Sequence, residues 1–123
     1  MATVRDYLDA LPAKEAKSLR RVCDAALSVR PGGKTSISYG VIGIVFPNGA
    51  RIHCGARSKG GLSLYPGHTG REFAAELNDF TIAGTTIHFT SDHELPIALI
   101  KRITRKIIAN ADELAAAEAK KRR

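Results

Sequence analysis

The sequence ISYGVIGIVFPNGARIHCGAR, residues 37–57, has the composition and period of β-structure. Its first ten residues are rich in β-branched side chains, and PNG at 47–49 is a turn signal before a second run. In that run the apolar residues are Ile52, Cys54 and Ala56, and they alternate with Arg51, His53 and Arg57. Because successive residues of a strand point to opposite faces, we predict a sheet with one apolar and one polar face.

Short strands are also predicted at 61–65 and 85–89, and short connections favour antiparallel pairing. Helical spacing predicts helices over 12–29, over 71–80 and from Pro96 onward. The last helix has an apolar stripe of Ile97, Ile100, Ile103, Ile107 and Leu114. This order of elements predicts an α+β two-layer sandwich, an antiparallel sheet with the N- and C-terminal helices packed on one face.

Two helix starts have capping-box patterns. Thr3 is followed three residues later by Asp6, and Thr69 is followed three residues later by Glu72. A hydroxyl at the N-cap and a carboxylate at the third helical position satisfy each other's backbone amides. We therefore predict α-helices that begin at both threonines.

The chain of 123 residues predicts a single domain over residues 1–110, followed by a basic helical extension or tail over 111–123. We expect no membrane association, because no apolar run approaches the roughly 20 residues of a membrane span. The first residues contain no apolar core like that of a secretory signal. A cytoplasmic location is therefore expected.

Most of the net charge of +7 is found near the C-terminus, because residues 99–123 hold eight Lys and Arg against three Asp and Glu. The basic residues of this segment are Lys101, Arg102, Arg105, Lys106, Lys120, Lys121, Arg122 and Arg123. Such a patch is typical of nucleic-acid or acidic-polymer binding. It is equally typical of a solvated helix end, and no aromatic residue lies among these cations to stack on bases.

Cys23 and Cys54 both lie among apolar positions, which predicts free, buried thiols. A disulfide between them would need Cα atoms within about 7 Å. No C-x-x-C motif is present.

No catalytic motif is found, so we expect no enzymatic activity. The glycine-rich stretch GGLSLYPGHTG, residues 60–70, lacks the spacing of a phosphate-binding loop and is better interpreted as a joint between a strand and a helix. The four histidines lack metal-ligand spacing, although His53 and His88 could approach each other on the polar sheet face. A small-anion pocket formed by Tyr39, Lys59, Tyr65 and Arg71 is an alternative.

Five segments, DYLDALP (6–12), ISYG (37–40), GLSLYPG (61–67), TIHF (86–89) and LPIALIKRI (95–103), resemble the YdhG-like domain-of-unknown-function family. They come in the family's order and cover most of the domain. The resemblance implies a frataxin-like fold, and some relatives are bacterial iron chaperones. The sequence departs from the family pattern at several positions, where Ile42, Gly61, Gly84-Thr85 and Thr90 replace a proline, a histidine, a lysine-glycine pair and a proline.

The resemblance implies a small intracellular binding protein with a frataxin-like role in iron or metal delivery, with iron as cargo and an iron-using protein as partner. Asp6 and Asp9 are the candidate metal ligands, since hard iron ions prefer oxygen. Residues 5–24 hold five cations against four carboxylates, however, which argues against an acidic metal site. Nucleic-acid or acidic-partner binding and small-anion binding stay open as alternatives.

Overall fold

The computed structural model of the protein describes residues 3–58 and 60–121. Two helices, α1 (Val4–Asp9) and α2 (Ala13–Leu27), precede four strands, β1 (Lys34–Ser38), β2 (Val41–Val45), β3 (Arg51–Ala56) and β4 (Leu62–Tyr65). A 3-10 segment (Gly67–Leu77), β5 (Thr81–Ala83), β6 (Thr86–Phe89) and α3 (Ile97–Lys121) follow. None of the described helices has the length and apolar composition needed to cross a bilayer.

The six strands form one antiparallel sheet in the order β1-β2-β3-β4-β6-β5. The prediction of an α+β chain with an antiparallel sheet and helices at both ends of the chain is confirmed. Strand β6 pairs with β4, and the short β5 lies outside it at the edge. The sequence pattern did not predict β5, whose three residues are all exposed.

The core lies between α2, α3 and one face of the sheet. Ile44, Ile52 and Leu64 are almost fully buried on that face, and the helices add Leu19 and Ile103. The predicted alternation in β3 is confirmed, because Ile52 and Cys54 are buried whereas Arg51 is exposed. Helices α2 and α3 pack on this apolar face. On the other face, Tyr7 of α1 approaches Gly55, where a Cβ would lie 2.9 Å from the Tyr7 hydroxyl.

The capping box at α1 is confirmed. The Asp6 amide donates to the Thr3 hydroxyl at 3.1 Å, and the Thr3 amide donates to the Asp6 carboxylate at 3.0 Å. Strand β4 also ends at Tyr65, as the sequence YPG predicts.

The predicted α-helix over 71–80, with its cap at Thr69, is wrong. Residues 67–77 form a 3-10 segment without a side-chain cap. Thr69 instead accepts a hydrogen bond from Asn110 at 3.2 Å, and Glu72 lies 3.8 Å from the Lys106 ammonium. Contacts with α3 therefore take the two groups that local capping would use.

Helix α3 confirms part of the predicted stripe. Ile100 and Ile103 are fully buried, but Ile97 is 41% exposed and Leu114 is 67% exposed. The last contacts with the body are at Asp112, whose carboxylate accepts from Arg30 and from Asn48 at 2.8 Å. Every described residue after Asp112 is exposed, so α3 extends into solvent as a helix through Lys121.

Candidate functional site

The sheet face opposite α2 and α3 carries polar, basic and aromatic side chains. Alternation along each strand assigns its outward positions. These positions are Lys34, Ser36, Ser38, Val41, Gly43, Val45, Arg51, His53, Gly55, Ser63, Tyr65, Thr81, Ala83, Thr86 and His88. None of these described positions is Asp or Glu. We call this surface, together with the adjoining Tyr39 and Arg57, the outer face.

Tyr39 occupies the most unusual backbone position of the outer face. It and Gly40 form the two-residue turn between β1 and β2, with φ of 56° and 75°. Hairpin turns with two positive φ values favour Asn-Gly, and a tyrosine in the left-handed region is strained by about 1–2 kcal/mol. The side chain is 89% exposed, so burial offsets none of this strain. Strain that the fold does not need is a pointer to function.

The Tyr39 ring lies beside His53, with their centroids 6.1 Å apart and their planes tilted by 59°. Gly43 makes room for the imidazole, because a Cβ at that position would lie 3.1 Å from two atoms of the ring. On the other side of His53, Tyr65 is its direct partner in the β3–β4 register. Tyr39 and Tyr65 are thus the aromatic neighbours of His53, and we call the three residues the aromatic row.

A second polar group lies beyond β4. The Ser63 hydroxyl is 3.0 Å from His88 Nδ1, and Ser63 is fully buried. A buried hydroxyl cannot reach a substrate, so this contact fixes the imidazole. His53 and His88 belong to β3 and β6, which β4 separates by two strand spacings, about 10 Å. The two histidines therefore do not form a joint site.

Both histidines lose positive charge in this setting. Burial, and secondly the neighbouring Arg51, lower the pKa of His53. Burial, and secondly Arg57, lower the pKa of His88. The imidazoles are thus neutral at pH 7, and the positive charge of the outer face then comes from Lys34, Arg51 and Arg57.

Arg57 also borders a depression at one end of the outer face. The depression has a volume of about 350 Å³, and its lining includes His88, His93 and Asp79. The His93 ring stacks on Phe80 with centroids 4.4 Å apart, and its Nε2 lies 3.2 Å from the Asp79 carbonyl oxygen. Asp79 is therefore the carboxylate nearest to this end of the outer face along the lining of the depression.

The charge of the chain is segregated by segment. Residues 25–71, which include β1 to β4, hold six Lys and Arg and no Asp or Glu. Residues 72–98 hold five Asp and Glu and no Lys or Arg. This 47-residue stretch without a carboxylate is the sequence signal that could have identified the outer face. The net charge of all residues before residue 99 hides this signal, because the basic and acidic segments cancel each other in that sum.

The acidic segment neutralises two cations of the basic patch predicted on α3. Glu76 pairs with Arg102, and Glu72 lies 3.8 Å from Lys106. Lys101 lines a groove between α2 and α3, and Arg105 is exposed. Lys120 and Lys121 end the projecting helix, while Arg122 and Arg123 lie outside the described residues. The predicted patch is therefore dispersed over several surfaces.

The residues predicted to form an anion pocket are placed as follows. Tyr39 and Tyr65 flank His53 in the aromatic row. Arg71 is exposed in the 3-10 segment, which packs against α3 and β6. Lys59 lies outside the described residues.

The predicted metal ligands have structural partners. Asp6 closes the capping box of α1, and Asp9 is 3.9 Å from Arg5. Among residues 3–58 and 60–121, no three His, Cys, Asp or Glu side chains are grouped as metal ligands would be.

An open groove of about 760 Å³ lies between α2 and α3. Its charged lining is Lys14, Lys17, Arg20, Arg21, Asp24, Asp92, Glu94 and Lys101. Arg21 donates to the Leu95 carbonyl at 2.7 Å and lies 3.7 Å from Glu94. It therefore links α2 to the residues just before α3. The groove therefore has mixed charge, unlike the outer face.

The chain matches no protein-family model, no curated protein and no solved structure.

Proposed function

We propose that this protein binds single-stranded nucleic acid on the outer face of its sheet. The observation that carries the proposal is the content of that face, which holds Lys34, Arg51 and Arg57 together with two tyrosines and has no acidic outward strand position. Cations contact phosphates, and exposed tyrosines stack on unpaired bases. Neither group alone is specific, but their presence on one sheet face suits a polymer that carries both phosphates and bases.

The geometry also matches the size of such a ligand. Six strands spaced about 4.8 Å apart give a surface about 24 Å wide, enough for several nucleotides. The aromatic row extends across the sheet, from Tyr39 in the β1–β2 turn through His53 in β3 to Tyr65 in β4. Stacking on aromatic side chains contributes about 1–3 kcal/mol per base.

The proposal moves nucleic-acid binding away from the C-terminal helix, where the sequence suggested it. In that helix the described cations Arg102 and Lys106 already face carboxylates of the 3-10 segment. A phosphate would have to displace Glu76 or Glu72 before it could bind at Arg102 or Lys106. The outer-face cations Lys34, Arg51 and Arg57 form no ion pair with another described residue.

The test is fluorescence anisotropy with a labelled single-stranded 12-mer at about 100 mM salt. We expect Tyr65→Ala to weaken binding by about 10-fold or more, from the loss of one stacked base. Tyr65→Phe keeps the ring and should bind within about twofold of the parent chain. The matched control on α3 is Lys120→Ser with Lys121→Ser.

Each result distinguishes the two locations. Loss of binding in Tyr65→Ala with little change in the α3 control supports the outer face. The reverse pattern would assign binding to the helix and its tail. Absence of binding by the parent chain would reject nucleic-acid binding altogether.

The resemblance to the YdhG-like family gives a separate proposal, a frataxin-like protein that delivers iron to an iron-using partner. It rests on the five sequence segments and on the α+β architecture with helices at both ends of the chain. Titration with Fe(II) under anaerobic conditions tests it. Binding that Asp6→Asn and Asp9→Asn abolish, at unchanged helix content, would support iron at α1.

A further inference from the structure

The two cysteines of the chain meet inside the core. Cys23 belongs to α2 and Cys54 to β3, and their sulfur atoms are 3.9 Å apart. Both are free thiols, with 6% of Cys23 and none of Cys54 exposed, as the sequence predicted for each residue. Their proximity was not predictable, because 31 positions separate them in the chain.

The pair is chemically asymmetric. A hydrogen bond from Cys54 lowers the pKa of Cys23, whereas the same bond, together with burial, raises the pKa of Cys54. The thiol with the lowered pKa is thus the one that keeps some exposure. A thiolate with some solvent access is the form that oxidants attack.

We propose that Cys23 and Cys54 form a modification site at which a hydroperoxide converts the two thiols into a disulfide that joins α2 to β3. In the first step the Cys23 thiolate attacks one peroxide oxygen, the O–O bond breaks, and Cys23 becomes a sulfenic acid as hydroxide leaves. In the second step the Cys54 sulfur, losing its proton, attacks the Cys23 sulfur, and water leaves. In sum, two thiols and one hydrogen peroxide give one disulfide and two waters.

The geometry requires only a small rearrangement. A disulfide bond is about 2.05 Å long, so the sulfurs must approach by about 2 Å. Cys23 lies on the face of α2 that packs on the sheet, where its neighbours Val22 and Ala26 are also buried. A side-chain rotation with a slight shift of α2 therefore brings the sulfurs together.

The cross-link would close a loop that contains the β1–β2 hairpin and Tyr39. Closing a loop of this length restricts the unfolded chain, and we expect the melting temperature to rise by about 10 °C. Cys54 is adjacent to His53, so the bond would also fasten the buried side of the strand that carries the centre of the aromatic row.

The experiment treats the full chain with hydrogen peroxide under conditions in which its circular dichroism stays native. Free thiols are then alkylated in denaturant, and the protein is digested for mass spectrometry. We expect a mass loss of two hydrogens, a peptide linking Cys23 to Cys54, and a rise in melting temperature that dithiothreitol reverses. Cys54→Ala should give a Cys23 sulfenic acid that dimedone traps, because the resolving thiol is missing.

Opposite results are equally clear. The proposal is wrong if both thiols of the native parent chain stay free after peroxide treatment and are then fully alkylated. It is also wrong if disulfides form only between two chains. Should Cys54→Ala fail to fold, the linked peptide from the parent chain alone decides. The outcome does not depend on nucleic-acid binding, since neither readout uses a ligand.

Discussion

The outer face of the sheet and helix α3 both carry clusters of cations, but the two surfaces differ in what lies opposite them. On α3, Arg102 and Lys106 face carboxylates of the 3-10 segment. On the outer face, Lys34, Arg51 and Arg57 lie among tyrosines, histidines and small residues. A run of basic residues in a sequence therefore does not by itself make a basic surface. The surface depends on which segment the fold packs beside it.

The largest expected effect comes from removing cations from each surface in turn. Arg51→Ser with Arg57→Ser should weaken binding of a single-stranded 12-mer by about 10–100-fold and reduce the slope of log K against log salt by about 1.4. Arg102→Ser with Lys106→Ser removes the same charge, yet should change affinity by about twofold at most, because those cations already have partners.

Anisotropy titrations at several salt concentrations measure both quantities. The α3 variant should lose at most about 1 kcal/mol of unfolding free energy, since its ion pairs are solvent-exposed. A larger loss of affinity in the α3 variant than in the sheet variant would show that α3, and not the outer face, binds the nucleic acid.

A second variant separates stability from binding at the strained turn. Tyr39→Asn puts a residue favoured by this turn at the position where φ is 56°. The unfolding free energy should rise by about 0.5–1 kcal/mol, while affinity should fall by about 5-fold or more through the loss of a stacking ring. Chemical denaturation and anisotropy give the two values.

Tyr39→Phe is the matched control, since it keeps both the ring and the strain. It should resemble the parent chain in both measurements. If Tyr39→Asn bound as tightly as the parent chain, the strain at this turn would need another explanation.

The smallest expected effect is that of acidification, which should move stability and affinity in opposite directions. The pKa values of His53 and His88 are lowered in the folded chain, so the unfolded chain takes up protons first as the pH falls. The stability associated with neutral imidazoles is fully present above their ordinary value of about 6.5 and is lost as the pH falls from there to the folded values. Protonation adds positive charge to the outer face, so affinity should rise a few-fold over the same range.

Denaturation and anisotropy at pH 7.5, 6.5 and 5.5 measure both trends. His53→Gln should reduce both the loss of stability and the rise in affinity on acidification. A fall in affinity on acidification would contradict a site at which these imidazoles face phosphate.

Much of the fold could be predicted because its signals are local. The alternation of Arg51, Ile52, His53 and Cys54 depends only on the geometry of a strand, and the Thr3–Asp6 capping box depends only on the first turn of a helix. The prediction failed at Thr69, where the long-range contact with Asn110 replaced a local cap. The split of 37–46 into β1 and β2 was also missed, since Tyr-Gly is not a usual hairpin turn.

The candidate site was less predictable, because it joins residues from separate strands. Tyr39 and Tyr65 were singled out from the sequence, but their common neighbour His53 followed only from the register of β3 with β4 and from the open space above Gly43. Likewise, burial of each cysteine followed from its neighbours, whereas the 3.9 Å between their sulfurs follows from the packing of α2 on β3.

The sequence alone determined the alternating strands, the amphipathic helices and the segregation of charge, because these depend on neighbours along the chain. Only the tertiary structure decided which charges are neutralised, since the 3-10 segment packs on α3 and places Glu72 and Glu76 beside its cations. Electrostatic attraction acts through space over a few ångströms, and the distances between distant segments are set by packing of the whole chain.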